Sequence, residues 1–218
     1  NAFSGEDEAI GSYDELAWRA QLLFTPVDDL EMLLNIHGRE LDGTASVFRA
    51  NVFTKGSNNL NENYDRTTVF YDANLLGNGF DNNPQEYENY GFSFKVDYDF
   101  NGLTFTSITA NEEANGSSLG DVDGGAIFNG ISTPGFIPFT AVTQDNLDDL
   151  EQFTQEFRLA SNNTDAFNWQ VGAFYYDSSF NVTSIDGFFG ATTVFHDNKT
   201  WAVFGQGTYE LSDKLTVT

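Results

Sequence analysis

The chain reads as strand after strand in which apolar and polar residues alternate with a period of two, while helical spacing with recognisable caps is hard to find. From Tyr13 to Phe24, Leu16, Trp18, Ala20, Leu22 and Phe24 fall on one side, with Glu15, Ala17, Arg19, Gln21 and Leu23 on the other. From Leu30 to Arg39 the sides are Leu30, Met32, Leu34 and Ile36 against Glu31, Leu33, Asn35, His37 and Arg39. The cleanest case runs from Glu88 to Phe100, where Tyr90, Phe92, Phe94, Val96, Tyr98 and Phe100 oppose Ser93, Lys95, Asp97 and Asp99. Further strands are predicted from Leu103 to Thr109, Gln152 to Ala160, Phe167 to Tyr176 and Thr200 to Leu211, and a last one begins at Leu215. Gln155 is the one polar residue on an otherwise apolar side of its strand.

The connections carry more information than the strands. In chain order they alternate short and long: a turn at Pro26, then Glu40 to Tyr87; a turn at Gly102, then Ala110 to Glu151; a turn at Asn163, then Asp177 to Lys199; a turn at Asp213. Asn101-Gly102 is a strong short hairpin signal, since both residues tolerate positive φ. The long segments are rich in Gly, Asn, Asp and Ser, as at Gly56-Ser57-Asn58-Asn59, and read as solvated loops. A soluble sandwich has no reason to gather its tight turns at one end and its long loops at the other. An outer-membrane barrel has one, because its periplasmic turns are short and its extracellular loops long.

No stretch reaches the roughly 20 consecutive apolar residues of a membrane-spanning helix. Barrel strands need only about 9 to 11 residues of alternating character. Hydrocarbon tolerates strands only where every backbone group is bonded within the protein, so the outward side chains must be apolar and the inward ones are free to be polar. Tyr13, Trp18, Phe24, Tyr90, Phe100, Trp169, Tyr175, Trp201 and Tyr209 would supply interfacial aromatic girdles.

A net charge of -24, from 33 acidic and 9 basic residues, argues against nucleic acid as a partner, because phosphate binding needs the opposite sign. The absence of cysteine excludes disulfides and thiolate metal sites. The 22 phenylalanines need an apolar environment to receive them.

Three segments, Phe153-Thr-Gln-Glu-Phe-Arg-Leu-Ala-Ser161, Phe167-Asn-Trp-Gln-Val-Gly-Ala-Phe-Tyr-Tyr176 and Trp201-Ala-Val-Phe-Gly-Gln206 with Tyr209-Glu-Leu-Ser-Asp-Lys-Leu-Thr216, resemble the barrel domain of TonB-dependent receptors. Trp18-Arg-Ala-Gln-Leu-Leu-Phe-Thr-Pro26 and Leu103-Thr-Phe-Thr-Ser-Ile-Thr109 look similar to the same family, so the resemblance spans most of the chain. It implies an antiparallel transmembrane barrel of about 22 strands, plugged by an N-terminal domain. It further implies import of a scarce solute, energised by an inner-membrane TonB complex, across a bacterial outer membrane. The chain opens at Asn1-Ala2-Phe3 without a basic or apolar leader and stops within a strand at Thr218, and so reads as an internal piece of about eight strands. The resemblance leaves iron-siderophore, cobalamin-like cofactor and oligosaccharide open as solutes. Two other readings are a small self-contained barrel serving as an adhesin or structural protein, and a secreted carbohydrate-binding β-sandwich.

Candidate solute-binding residues are the lumen-facing Arg19, Asn35, His37, Arg39, Lys95, Glu156 and Arg158, and the loop aromatics Phe136 and Phe139 in Pro134-Gly-Phe-Ile-Pro-Phe. Each has an ordinary alternative: the charges pair across strands or hold the plug, and the aromatics pack their loop on itself. No metal site is expected. His37 and His196 lack neighbours at ligand spacing. Asp121-Val-Asp123-Gly124 lacks the remaining ligands of a calcium loop, and Asp145, Asp148, Asp149 and Glu151 read as a solvated charge run. No nucleophile elbow, phosphate-cradling loop or zinc-protease motif is present, so no catalytic residue or cofactor is assigned.

Overall fold

The computed structural model describes residues 11–44, 52–54, 56–62, 64, 66–67, 83–121, 142–162, 166–186, 190–212 and 214–218. Eight strands follow one another in a single antiparallel sheet: β1 (Tyr13–Val27), β2 (Leu30–Thr44), β3 (Pro84–Phe100), β4 (Leu103–Asp121), β5 (Val142–Ser161), β6 (Phe167–Asp186), β7 (Gly190–Ser212) and β8 (Leu215–Val217). Each pairs only with its sequence neighbours, in the order β1 to β8, so the sheet is open and β1 and β8 are its edges. No helix occurs among the described residues.

The tight connections form as their residues dictate. Asn101 and Gly102 both take positive φ, 50° and 77°, the left-handed pair of a type I′ hairpin that matches the twist of the flanking strands. Asp28 and Asp29 close β1 on β2. The strands are longer than the alternation of the spanning segments predicts. Asp177 to Lys199, expected as a solvated loop, is largely strand, with β6 running to Asp186 and β7 starting at Gly190. Likewise β4 continues from Thr109 to Asp121 and β5 begins at Val142. Pairing does not stop there; the outward positions lose their apolar run and carry Asn111, Glu113, Asn115, Glu151 and Asp197, which makes the extensions look loop-like in sequence.

The strands are staggered. Leu30, the turn-end residue of β2, is carried by the register through Tyr98, Phe105, Leu159 and Val171 to Gly205 on β7. The turn end of β7 lies at Ser212, seven residues further along, while five strand spacings separate the two strands. At the usual rise and spacing that is about 23 Å along for about 24 Å across, a tilt of about 45°. Tilt of this size is what closing a sheet into a barrel requires.

The register places Leu22, Leu34 and Phe94 in one row of the same face, and Phe24, Met32 and Val96 in the next. That face also takes Phe157, Leu159, Val171 and Val203. These apolar side chains are exposed: Leu22 at 63%, Trp201 at 74% and Val203 at 73%. Among the described residues only Ala114 and Val142 are buried hydrophobics, so the sheet has no hydrophobic core. On β3, β5 and β6 the apolar face is mostly the more exposed, Val96, Phe100, Leu159 and Trp169 excepted, and the polar face beside it is half-buried except at Asp99, as when side chains crowd on the concave side of a curved sheet. Apolar outside and polar inside inverts the arrangement of a soluble domain.

Candidate functional site

The concave face gathers the sequence-predicted polar residues. One register row crosses seven strands as Arg19, His37, Gly91, Glu112, Gln152, Ser178 and Asn198. In it His37 Nε2 lies 3.1 Å from Glu112 Oε2. Asn35 Nδ2 stands 3.2 Å from His37 Nδ1, and with that nitrogen accepting, Nε2 carries the proton donated to Glu112. Asn89 Nδ2 adds a long bond to the same carboxylate at 3.5 Å and one to the Glu113 carbonyl at 3.1 Å. The network depends on Gly91, because a Cβ there would stand 2.1 Å from Glu112 Oε2. Glycine in the middle of β3 is the space through which Glu112 reaches past one strand to β2.

Closer to the turns lie two charge pairs of opposite order. Along β3, Lys95 Nζ is 2.7 Å from Asp97 Oδ2, and Thr106 Oγ1 donates to Asp97 Oδ1 at 2.6 Å. Along β5, Arg158 Nε is 2.5 Å from Glu156 Oε1. Register puts Lys95 level with Glu156 and Asp97 level with Arg158, with β4 between them, so each charge also faces its opposite across the sheet. Arg39 Nε meets Glu15 Oε1 at 2.6 Å, and its guanidinium lies 5.7 Å over the Tyr87 ring. Arg19, on the edge strand, makes no ion pair among the described residues. Half-exposed pairs of this kind contribute only about 0 to 1 kcal/mol each. Their arrangement orders the wall more than it stabilises it.

Sequence reasoning named His37 and Arg39 but missed their partners Glu112 and Glu15, and it missed Tyr87. Glu112 fell in a stretch read as loop; its place beside Gly91 appears only with the register. Phe136 and Phe139 lie outside the described residues. Asp121 closes β4, where its N–H donates to Asn83 Oδ1 at 3.0 Å. Asp123 and Gly124 lie outside the described residues. His196, expected in a loop, is in β7 and stacks on Phe180 at 4.5 Å. The acidic run of β5 is divided between the faces: the Asp145 carboxylate accepts the Ser184 hydroxyl on the concave side, while Glu151 shares the outer row of Glu113. Between them the register shifts, and Asp149, at φ 52°, donates its N–H to Asn115 Oδ1 at 2.9 Å. No group of three or more metal-ligating side chains occurs among the described residues.

The polar exception on the outer face is self-contained. Gln155 Oε1 accepts from Thr109 Oγ1 at 2.6 Å, and its Nε2 donates to Ser107 Oγ at 3.2 Å and the Ile108 carbonyl at 3.1 Å. A cluster that satisfies itself is what an apolar surrounding demands. At the far end of the outer apolar band, Tyr90 donates to Glu40 Oε1 at 2.5 Å, and Asp177 Oδ2 takes Lys199 Nζ at 2.9 Å and the Tyr175 hydroxyl at 3.0 Å. The Lys199 ammonium, and then the tyrosine, hold the Asp177 carboxyl below the usual carboxylate range, and Asp177 in turn raises Lys199. The first outward charges, Glu40 on β2 and Lys199 on β7, step toward the turns in the same direction as the hairpin stagger.

No protein-family model matches the chain, and no curated protein is similar to it. Among solved structures the chain is similar to the ferric yersiniabactin uptake receptor FyuA from Yersinia pestis, with a TM-score of 0.52 at 12% identity. The match covers 96% of this chain and 37% of that receptor, so the chain spans little more than a third of it. At this identity the likeness is one of fold: an all-β sheet of antiparallel strands similar to a TonB-dependent receptor barrel.

Proposed function

We propose that the chain forms part of the barrel wall of an outer-membrane active importer of the TonB-dependent type. The observation that carries this reading is the inverted sheet: a tilted single layer whose apolar side chains are exposed on the convex face while four of the five ion pairs among the described residues line the concave one and the fifth, Asp177–Lys199, sits at the end of the outer apolar band. Lipid is the solvent that such a face fits, and a water-filled or plugged lumen fits the other. The secreted-sandwich reading would need a second sheet over the apolar face, and none occurs among the described residues. The open edges β1 and β8 call for further strands, because unpaired backbone groups are costly in hydrocarbon.

In this reading the tight turns face the periplasm and the far ends of the strands face outward. The concave charges hold a plug domain or touch passing solute, and an inner-membrane TonB complex supplies the energy. Iron-siderophore chelates, cobalamin-like cofactors and oligosaccharides are the solute classes.

The test is uptake by bacteria expressing the full-length gene product, with each solute class supplied in labelled form. Accumulation that a protonophore abolishes, together with recovery of the protein in the detergent-soluble outer-membrane fraction, supports the reading. Recovery as a detergent-free soluble protein, or accumulation indifferent to the protonophore, overturns it.

A further inference from the structure

The outward apolar band is interrupted at β4. Over the same three register rows the convex face carries Phe92, Phe94 and Val96 on β3 and Phe153, Gln155 and Phe157 on β5; between them β4 presents Asn111, Thr109 and Ser107. Glu113 follows as the first outward charge of β4. At the usual rise and a tilt of about 45°, Asn111, Thr109 and Ser107 lie about 5, 9 and 14 Å deeper than Glu113, within the band. A wall that meets only lipid keeps its outward positions apolar through this depth.

Gln155 is satisfied by Thr109, Ser107 and two backbone carbonyls, but the strip beside it is not. Ser107 accepts from Gln155, and its own O–H meets no acceptor among the described residues. Asn111 donates from Nδ2 to Glu113 Oε1 at 3.2 Å, while its Oδ1 and its second amide hydrogen meet no partner there. Lipid chains offer neither donors nor acceptors, so these groups are costly to leave against hydrocarbon.

We infer that this strip is where a second copy of the protein docks in the plane of the membrane. Ser, Thr, Asn and Gln each donate and accept, so a two-fold contact pairs like with like, and the strip carries no charge for a copy to repel. Polar side chains of this kind hold membrane-embedded elements together. Strand tilt keeps the acidic rim apart. Walls related by a two-fold along the membrane normal cross their strands at twice the tilt, about 90°. With Thr109 at the crossing, Glu113 stands about 13 Å away along its strand and so about 19 Å from its copy, beyond the Debye length of about 8 Å. Phe94 and Phe157, both exposed, flank the crossing and supply an apolar rim that excludes lipid from it. This inference rests on the reading of the convex face as lipid-facing.

The chain has no cysteine, so cysteines introduced singly report the contact. Ser107→Cys, Thr109→Cys and Asn111→Cys are each made in the full-length protein, with any cysteine outside this chain changed to serine, and outer membranes are oxidised with copper phenanthroline. Val203→Cys, in the register row of Ser107 but three strands away on β7, measures random collision. A disulfide-linked dimer is expected from at least one strip position, in about fivefold or greater yield than from Val203→Cys. A second arm needs no cysteine. The parent is expected to run as a dimer by light scattering in mild detergent. The Ser107→Ala, Thr109→Val, Asn111→Leu variant, recovered folded from the same membranes, is expected to dimerise about fivefold more weakly, a difference of about 1 kcal/mol. Outer-membrane protein that gives no strip disulfide above the Val203→Cys level and a parent that is monomeric, or disulfides only to a different protein, overturn the second copy while the importer reading stands. Recovery as a detergent-free soluble protein overturns both.

Discussion

Val171→Arg separates a lipid-facing sheet from a water-facing one by magnitude. Val171 sits midway along the outward apolar run of β6, from Phe167 to Tyr175, and is 48% exposed. That run spans about 27 Å along the strand, and the 45° stagger reduces it to about 19 Å of depth, so Val171 lies about 10 Å from either end. Were this face in water, replacing a half-exposed valine by arginine would shift stability by no more than about 0.5 kcal/mol. At the middle of a bilayer the same change costs about 2 to 4 kcal/mol. The folding equilibrium would then move by roughly 30-fold to 1,000-fold rather than about twofold. The neighbouring Gln170 points to the concave face, level with Ala160 and Gln206, so Gln170→Arg serves as the control and is expected to cost under about 1 kcal/mol. The assay is urea unfolding of the protein reconstituted in phospholipid vesicles, followed by tryptophan fluorescence. Equal effects of the two substitutions, or a larger effect of Gln170→Arg, would refute the assignment of the faces.

Three further outcomes follow from the same geometry. Gly91→Val drives a side chain into the space of the Glu112 carboxylate and is expected to cost about 1 to 3 kcal/mol through the lost His37 pair and its stranded partners; if the Gly91→Val, Glu112→Ala double variant is no more stable than Gly91→Val alone, the steric explanation is wrong. A double-mutant cycle on Thr109→Val and Gln155→Leu should show coupling of about 0.6 kcal/mol, up to about 1.7, since on the proposed lipid-facing wall either change alone leaves a polar group without its partner; additive effects would remove the cluster from the lipid face. Because the Asp177 carboxyl titrates below its ordinary value in the folded protein, its stabilising effect is complete above the unfolded aspartate pKa of about 3.9 and is lost as pH falls through the lowered value. Melting curves of the parent and Asp177→Asn should accordingly converge at acid pH, and divergence there would reverse the sign.

Much of the architecture is legible in one dimension. The face assignments of Leu16 to Phe24, of Phe92 to Phe100 and of Phe167 to Tyr175 follow from period-two alternation, because successive side chains in a strand must point oppositely. The hairpin at Asn101-Gly102 follows from residues that accept positive φ. The extensions of β4 to β7 were hidden because a strand was recognised by apolar residues on one fixed side, and beyond the band that side carries Glu113, Glu151 and Asp197.

The inner wall was legible as a set of residues and not as an arrangement. That His37, Asn35, Arg39, Lys95, Glu156 and Arg158 face one way is local information. That His37 reaches Glu112 over Gly91, 75 positions away in sequence, is a property of strand register across β2, β3 and β4. The sequence by itself determined the period, the turns and the two chemically distinct faces, since these depend on each residue and its near neighbours. Only the tertiary structure decided the register, the 45° stagger, which charges consume one another and where the glycine gaps fall, because a one-residue slip between strands leaves every local preference intact while changing every partner.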